Sequence, residues 1–198
     1  MNRLLVATTN RGKLQEIERI LAGVDFELVT LDQWPDLPAP EETGRTFDEN
    51  ARAKADYYAR ATGELTVAED SGLEIDALGG APGVESARFG GVDTTYPEKF
   101  ELIYDALRAA GAATSTARFV CALTLARPDA TIFETRATVA GRIAHEPRGS
   151  DGFGYDPIFF YPPFGATLAE VGGRKTEVSH RGQAFRALRA FLEQHPLL

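Results

Sequence analysis

Several short clusters in this 198-residue chain have the residue types and spacing to do chemistry. The first is Thr8-Thr-Asn-Arg-Gly-Lys13, where an apolar run ends, a glycine-containing turn follows and a helix begins. The first-turn amides of such a helix favour an anion. Lys13 puts a cation where the helix dipole opposes it, and a neighbouring phosphate would offset that cost. A capped turn with a solvated lysine is the plain alternative. The Walker A spacing is absent. Next comes Glu41-Glu42 in a Pro-rich loop, with Lys54 two turns into the following helix. A carboxylate turned inward there is a hard-cation ligand, and one turned outward is ordinary surface. In Glu69-Asp70-Ser71-Gly72, two acids end a strand of small apolar residues, where α/β sheets hold ligands. Metal binding or general-base work would account for them, with an acidic Asx turn as the alternative. In Gly152-Phe-Gly-Tyr-Asp156-Pro, the glycines allow close backbone approach and Phe153 offers a ring face to a base. Asp156 precedes proline, so its backbone is expected to be extended; an aromatic turn packed on the core is the competing reading. The last cluster is Lys175 with Ser179-His-Arg181. Ser179 is a natural N-cap, and His180 and Arg181 then stand at the end of a helix that disfavours cations, as a donor cluster for a ligand would.

The elements that must position these groups follow from periodicity. Leu4–Thr8 reads as a buried strand, and Leu14, Ile17, Ile20 and Leu21 mark one face of a helix over Gly12–Leu21. Phe26–Leu31 is a second strand, and residues 32–45, with three prolines, form a loop. Thr46 and Glu49 make a capping box, with the Glu49 side chain reaching back, for a helix that runs to Thr62 and stops at Gly63. Thr66–Glu69 reads as a strand that breaks at Asp-Ser-Gly. Residues 79–91, with Pro82 among glycines, form a shaped loop. Thr95 and Glu98 cap a helix buried through Phe100, Ile103, Tyr104 and Leu107, ending at Gly111. Arg118–Ala126 alternates, Pro128-Asp129 turns, and Thr131–His145 returns as the second strand of a hairpin. The last helix, Ser179–His195, buries Ala184, Phe185, Leu188 and Leu192. The fold class is α/β with a mixed sheet and flanking helices, in one domain.

Composition narrows the function. The chain is 43% hydrophobic and 25% charged, as expected of a globular protein. Its net charge of −8 argues against a nucleic-acid partner. The charge is uneven: residues 1–100 carry −9 and residues 101–198 carry +1. Cys121 is the single cysteine, set in an alternating apolar run, so packed core and a reducing compartment are expected. No stretch reads as a signal-peptide core or membrane span, so a cytoplasmic protein is expected.

In order and identity, these motifs resemble the Ham1 (RdgB, inosine triphosphatase) family of non-canonical purine nucleoside triphosphate pyrophosphatases. The likeness also covers Glu42-Thr-Gly-x-Thr-Phe, Glu49-Asn-Ala, Leu78-Gly-Gly-Ala-Pro-Gly and Ser86-Ala-Arg, and spans nearly the whole chain. It implies an elongated α/β protein with two lobes around a substrate cleft, a homodimer, and Mg²⁺-dependent hydrolysis of ITP, dITP and XTP to the monophosphate and pyrophosphate. By position, Thr8, Thr9, Asn10 and Lys13 would hold the triphosphate and Lys54 would face it. Glu42 and Asp70 would hold Mg²⁺, with Asp70 as general base and Ser71 touching substrate. Phe153 would stack on the base in a pocket shaped by Gly154, Tyr155 and Asp156. Lys175, His180 and Arg181 would read the base edge and neighbouring groups. Donors there would pair with the 6-keto oxygen of hypoxanthine or xanthine and mismatch the amino group of adenine. The departures are Glu69 where many relatives carry Asp, Phe89 for a common Tyr, and Thr9 where Gly is frequent. Glu69 therefore stands as a further candidate metal ligand, as does Glu41. A Maf-like pyrophosphatase acting on other bases and a non-catalytic nucleotide-binding module are the alternatives.

Overall fold

Each expected strand and helix forms in a computed structural model, which describes residues 2–195. Strand β1 (Asn2–Val6) leads through the turn at residues 7–10 into α1 (Arg11–Leu21), and β2 (Phe26–Thr30) returns parallel to β1. Helix α2 (Phe47–Thr62) then carries the chain to β3 (Leu65–Ile75), parallel to β1 on its other side. Helix α3 (Tyr96–Ala109) precedes β4 (Thr116–Arg127), and β5 (Ala130–Ile143) follows after Pro128-Asp129. These two strands are neighbours in the sheet across a two-residue turn, so they form a hairpin. Short β6 (Phe159–Tyr161) and β7 (Ala166–Thr167) add antiparallel pairs. The seven-stranded mixed sheet has the order β2-β1-β3-β4-β5-β6-β7. One-turn α4 (Lys175–Val178) leads into α5 (His180–Gln194).

The chain divides into two compact units, with boundaries at Asp70/Ser71, Val120/Cys121, Ala137/Thr138 and Ser179/His180. In the first unit the sheet is covered on both faces. One face packs Leu65, Val67, Cys121 and Leu123 with Ile17 and Leu21 of α1 and Phe185, Leu188 and Leu192 of α5. The other packs Leu5, Ala68 and Ala126 with Ala55, Tyr58 and Ala59 of α2. Each Leu or Phe fully buried this way is worth roughly 1.5–3 kcal/mol. The second unit has its own core of Leu73, Ile75, Phe100, Ile103, Phe119 and Phe159 among others.

Caps fix where the helices start and stop. The Thr46 hydroxyl accepts from the Glu49 amide at 3.1 Å, but the Glu49 carboxylate reaches past Thr46 to the Arg45 amide at 2.7 Å. Gly63, at φ +77°, ends α2 in the left-handed conformation that a side chain resists. At α3 the Glu98 carboxylate accepts from the Thr95 amide at 2.7 Å, closing a full capping box.

The expected break at Asp70-Ser71-Gly72 does not occur, and β3 runs straight through it. Gly72 serves close approach instead of a turn. A Cβ there would lie 2.3 Å from Ser86 Oγ and 2.7 Å from the Gly83 carbonyl oxygen. Ser86 Oγ in turn accepts from the Leu73 amide at 2.9 Å, so this loop pins the strand where sequence chemistry would have bent it.

Candidate active site

The continuity of β3 decides what its two acids do. Successive side chains of a strand point to opposite faces. Glu69 follows Leu65 and Val67 toward α1 and α5, and Asp70 follows Ala68 toward α2. The adjacent carboxylates are therefore not a pair, and each has its own partners.

On the α2 side, Asn50 Nδ2 donates to Asp70 Oδ2 at 2.9 Å, and the Gly44 amide holds Asn50 Oδ1 at 2.8 Å. Lys54 lies one turn beyond Asn50, as helical spacing requires. Its ammonium lies 2.6 Å from Glu42 Oε1 and 3.9 Å from Asp70 Oδ1. Burial pushes the Asp70 carboxyl above its ordinary range, although Lys54 and the Asn50 hydrogen bond oppose it. Lys54 is raised: burial would lower it, but Asp70 and Glu42 prevail. The arrangement presents two carboxylates on one cationic centre, and Asp70, the one of elevated basicity, is the more buried of the two. Glu41 is exposed.

On the α1/α5 side, Lys13 Nζ reaches Glu69 Oε1 at 2.8 Å. The Arg181 guanidinium, 2% exposed, bonds Glu69 Oε1 at 3.3 Å and Glu16 Oε2 at 3.0 Å. Burial would raise Glu69, yet Lys13 and Arg181 hold it well below the usual carboxylate range. The same carboxylates, with burial opposing them, hold Arg181 firmly charged. The unfavourable cations at the starts of α1 and α5 are thus explained inside the protein, by Glu69 and Glu16. Glu69 faces away from the Glu42–Asp70 side of the sheet, and the Arg181 guanidinium serves two carboxylates within the first unit. Above Lys13, the turn is shaped by its own side chains. Thr8 Oγ1 accepts from the Asn10 amide at 3.2 Å, and Asn10 Oδ1 accepts from the Lys13 amide at 3.1 Å. Thr9 is exposed and His180 is buried.

The remaining candidates lie in the second unit. Ser71 continues β3, half-buried. Asp156 opens a 3₁₀ turn over Asp156–Ile158, so its backbone is not the extended one expected before Pro157. The reason is its carboxylate, 1% exposed as a residue, which accepts from the Phe153 amide at 2.8 Å and from Lys175 Nζ at 2.5 Å. Those bonds close the Gly152–Asp156 segment on itself. Gly152, at φ +77°, leaves the space, since a Cβ there would lie 2.2 Å from Asp156 Oδ2. Lys175 Nζ stands 4.3 Å from the centre of the half-buried Phe153 ring. Tyr155 is 4% exposed, and its hydroxyl donates to the Ser86 carbonyl at 2.8 Å.

Sequence reasoning gave Asn50, Glu16 and Ser86 no role. Asn50 was visible only as the middle of Glu49-Asn-Ala. Glu16 was the acid out of place on the apolar face of α1, between Leu14 and Ile17. Ser86 was visible only as the first residue of Ser86-Ala-Arg.

The Ham1 family model matches residues 4–191. A dITP/XTP pyrophosphatase of Gloeobacter violaceus is 50% identical over 189 residues, covering 95% of this chain and 93% of its own. One from an Exiguobacterium species is 47% identical over 189 residues, 95% of each chain. The structure of a HAM1 protein from Coxiella burnetii superposes with a TM-score of 0.91 at 38% identity, covering 98% of this chain and all of that one. With a whole-chain family match, relatives at such identity and the same fold, the chain belongs to the Ham1 family.

Proposed function

We propose that this protein hydrolyses non-canonical purine nucleoside triphosphates, ITP, dITP and XTP, to the monophosphate and pyrophosphate. The observation that carries the reading is the Asp70 environment: a buried carboxylate of raised basicity, oriented by Asn50, beside the Lys54–Glu42 pair. The relatives, which are dITP/XTP pyrophosphatases, support a reaction of this class.

The donor set fits Mg²⁺. Glu42 and Asp70 already converge on one cationic group, Lys54, and both offer hard oxygen ligands. Among the described residues no cluster of three or more His, Cys, Asp or Glu side chains is placed to hold a metal. Two carboxylates suit an ion that keeps water ligands and takes substrate phosphate oxygens. Bound there, Mg²⁺ would supply charge neutralisation at the phosphates.

The chain's own groups do the rest. Asp70 accepts a proton from water, whose oxygen bonds to the α-phosphorus as the bond to the bridging oxygen breaks and pyrophosphate leaves. Asn50 holds the Asp70 carboxylate in place through Oδ2, leaving Oδ1 toward Lys54. Thr8, Thr9, Asn10 and the first amides of α1 hold the triphosphate. Lys13 and Lys54 oppose its charge, and Ser71 contacts substrate. Phe153 stacks on the base, Gly154, Tyr155 and Asp156 shape its pocket, and Lys175 and His180 read its edge. Arg181 acts through Glu69 and Lys13, holding the phosphate-facing turn. A homodimer in the cytoplasm completes the proposal. The lone, fully buried Cys121 fits a reducing compartment, and exposed Val92 and Leu102 offer apolar surface to a second copy. Among the described residues no helix is long and apolar enough to cross a membrane.

Purified protein given ITP and Mg²⁺ should release pyrophosphate and IMP. Orthophosphate and IDP instead would overturn the proposal.

A further inference from the structure

The base-facing segment includes two tyrosine hydroxyls in its neighbourhood, and only one is available. Tyr155 is buried with its hydroxyl committed to the Ser86 carbonyl. Tyr96, the first residue of α3, is 36% exposed, and its hydroxyl makes no hydrogen bond among the described residues. Its ring stands edge-on to Tyr155, with centres 5.3 Å apart and planes at 90°. It also lies against Gly154, where a Cβ would be 3.7 Å from both Cζ and Oη of Tyr96.

The ring is held in place as a wall would be. Lys99 Nζ, on a residue 3% exposed, sits 4.8 Å from the centre of the Tyr96 ring while donating to the Ala87 carbonyl at 2.5 Å. Phe100 packs behind, 6.4 Å between ring centres. A large aromatic left exposed, yet fixed by a buried lysine and two other rings, is an ordered surface awaiting a flat partner.

We infer that Tyr96 is a further nucleotide-binding residue, a second aromatic wall that contacts the purine presented at Phe153-Gly154. The assignment rests on the proposed function above. The charge of Asp156 is felt at the Tyr96 hydroxyl, which burial and that carboxylate both keep protonated and therefore a donor. Tyr96 thus adds ring contact and one donor beside a segment where Asp156 and Lys175 are bonded to each other and the Tyr155 hydroxyl to the Ser86 carbonyl.

The test is steady-state kinetics with ITP and Mg²⁺ on wild type, Tyr96→Phe and Tyr96→Ala. Loss of the ring should raise KM about tenfold, the scale of one base–aromatic contact, with kcat within about twofold. Tyr96→Phe keeps the ring and should raise KM less than about threefold. Inhibition by inorganic triphosphate, which has no base, should be unchanged in both. An unmoved KM in Tyr96→Ala overturns the inference, as does a parallel loss of triphosphate inhibition, which would indicate general distortion. Should the alanine variant fail to fold, Tyr96→Leu keeps apolar bulk without an aromatic face and should show the same rise. Wild type inactive on ITP overturns the proposed function itself; active wild type with unmoved variants overturns only the role of Tyr96.

Discussion

Glu69 and Asp70 differ in what compensates their charge, and that difference makes separate predictions. Asp70 is disfavoured as an anion by burial, and its partners only partly offset this. Asp70→Asn should keep the fold by circular dichroism and lose about 10²–10⁴-fold in kcat, the usual contribution of a general base. Under the proposed metal site, Mg²⁺ should raise the melting temperature of wild type and leave that of Asp70→Asn nearly unmoved, because that variant lacks one of the two proposed ligands. Equal shifts in both would remove Asp70 from the metal site. Glu69 is the opposite case. Its carboxyl is held low in the folded state, so the stability it contributes is present above the unfolded value, about 4.3, and disappears as pH falls through the folded value. Glu69→Gln takes the carboxylate from Lys13 and leaves Arg181 with Glu16 alone, and should cost about 3–5 kcal/mol at pH 7 in urea unfolding. The gap between wild type and variant should close only in strong acid. The residue types of this site were legible in the sequence, and their pairings were not. Arg181 and Glu16 lie 165 positions apart, so no local pattern joins them. A lysine and an arginine at unfavourable helix ends pointed correctly to an anion, but the anion found in the structure is a carboxylate of the protein.

At the scale of elements, periodicity and caps were sufficient for helices α1, α2, α3 and α5. Their starts and stops are local chemistry, such as Thr46, Gly63 and Thr95. Element β3 was misread because Asp-Ser-Gly is turn chemistry, and what overrides it is a contact between Gly72 and Ser86, distant in sequence and silent in it. The consequence is functional, since a strand that continues sends Glu69 and Asp70 to opposite faces. Gly72→Ala should therefore be costly even though the backbone is extended. A methyl group there meets a serine hydroxyl and a backbone carbonyl, and overpacking of this kind costs about 1–3 kcal/mol. A lowered urea midpoint at unchanged m-value would register it. Leu188→Ala in α5, fully buried against α1, should cost about 2–5 kcal/mol by the same measurement.

For the molecule as a whole, a net charge of −8 sits oddly with a polyanionic substrate, and the structure relocates that difficulty. Much of the acidity is surface charge, while Glu16, Glu69 and Asp156 are buried and internally matched by Arg181, Lys13 and Lys175. The total was legible from composition; the matching needed the fold. Each compact unit has its own core, and the single cysteine, Cys121, is packed as a free thiol within that of the first. Light scattering should give twice the chain mass of 21.5 kDa if the protein is a homodimer, and the single chain mass would contradict that part of the proposal. The central claim is attack by an Asp70-activated water at the α-phosphorus. Hydrolysis of ITP in ¹⁸O-labelled water tests it most directly, read by mass spectrometry of both products. The account predicts one labelled oxygen in IMP and none in pyrophosphate; label in pyrophosphate, or labelled orthophosphate with IDP, would contradict it.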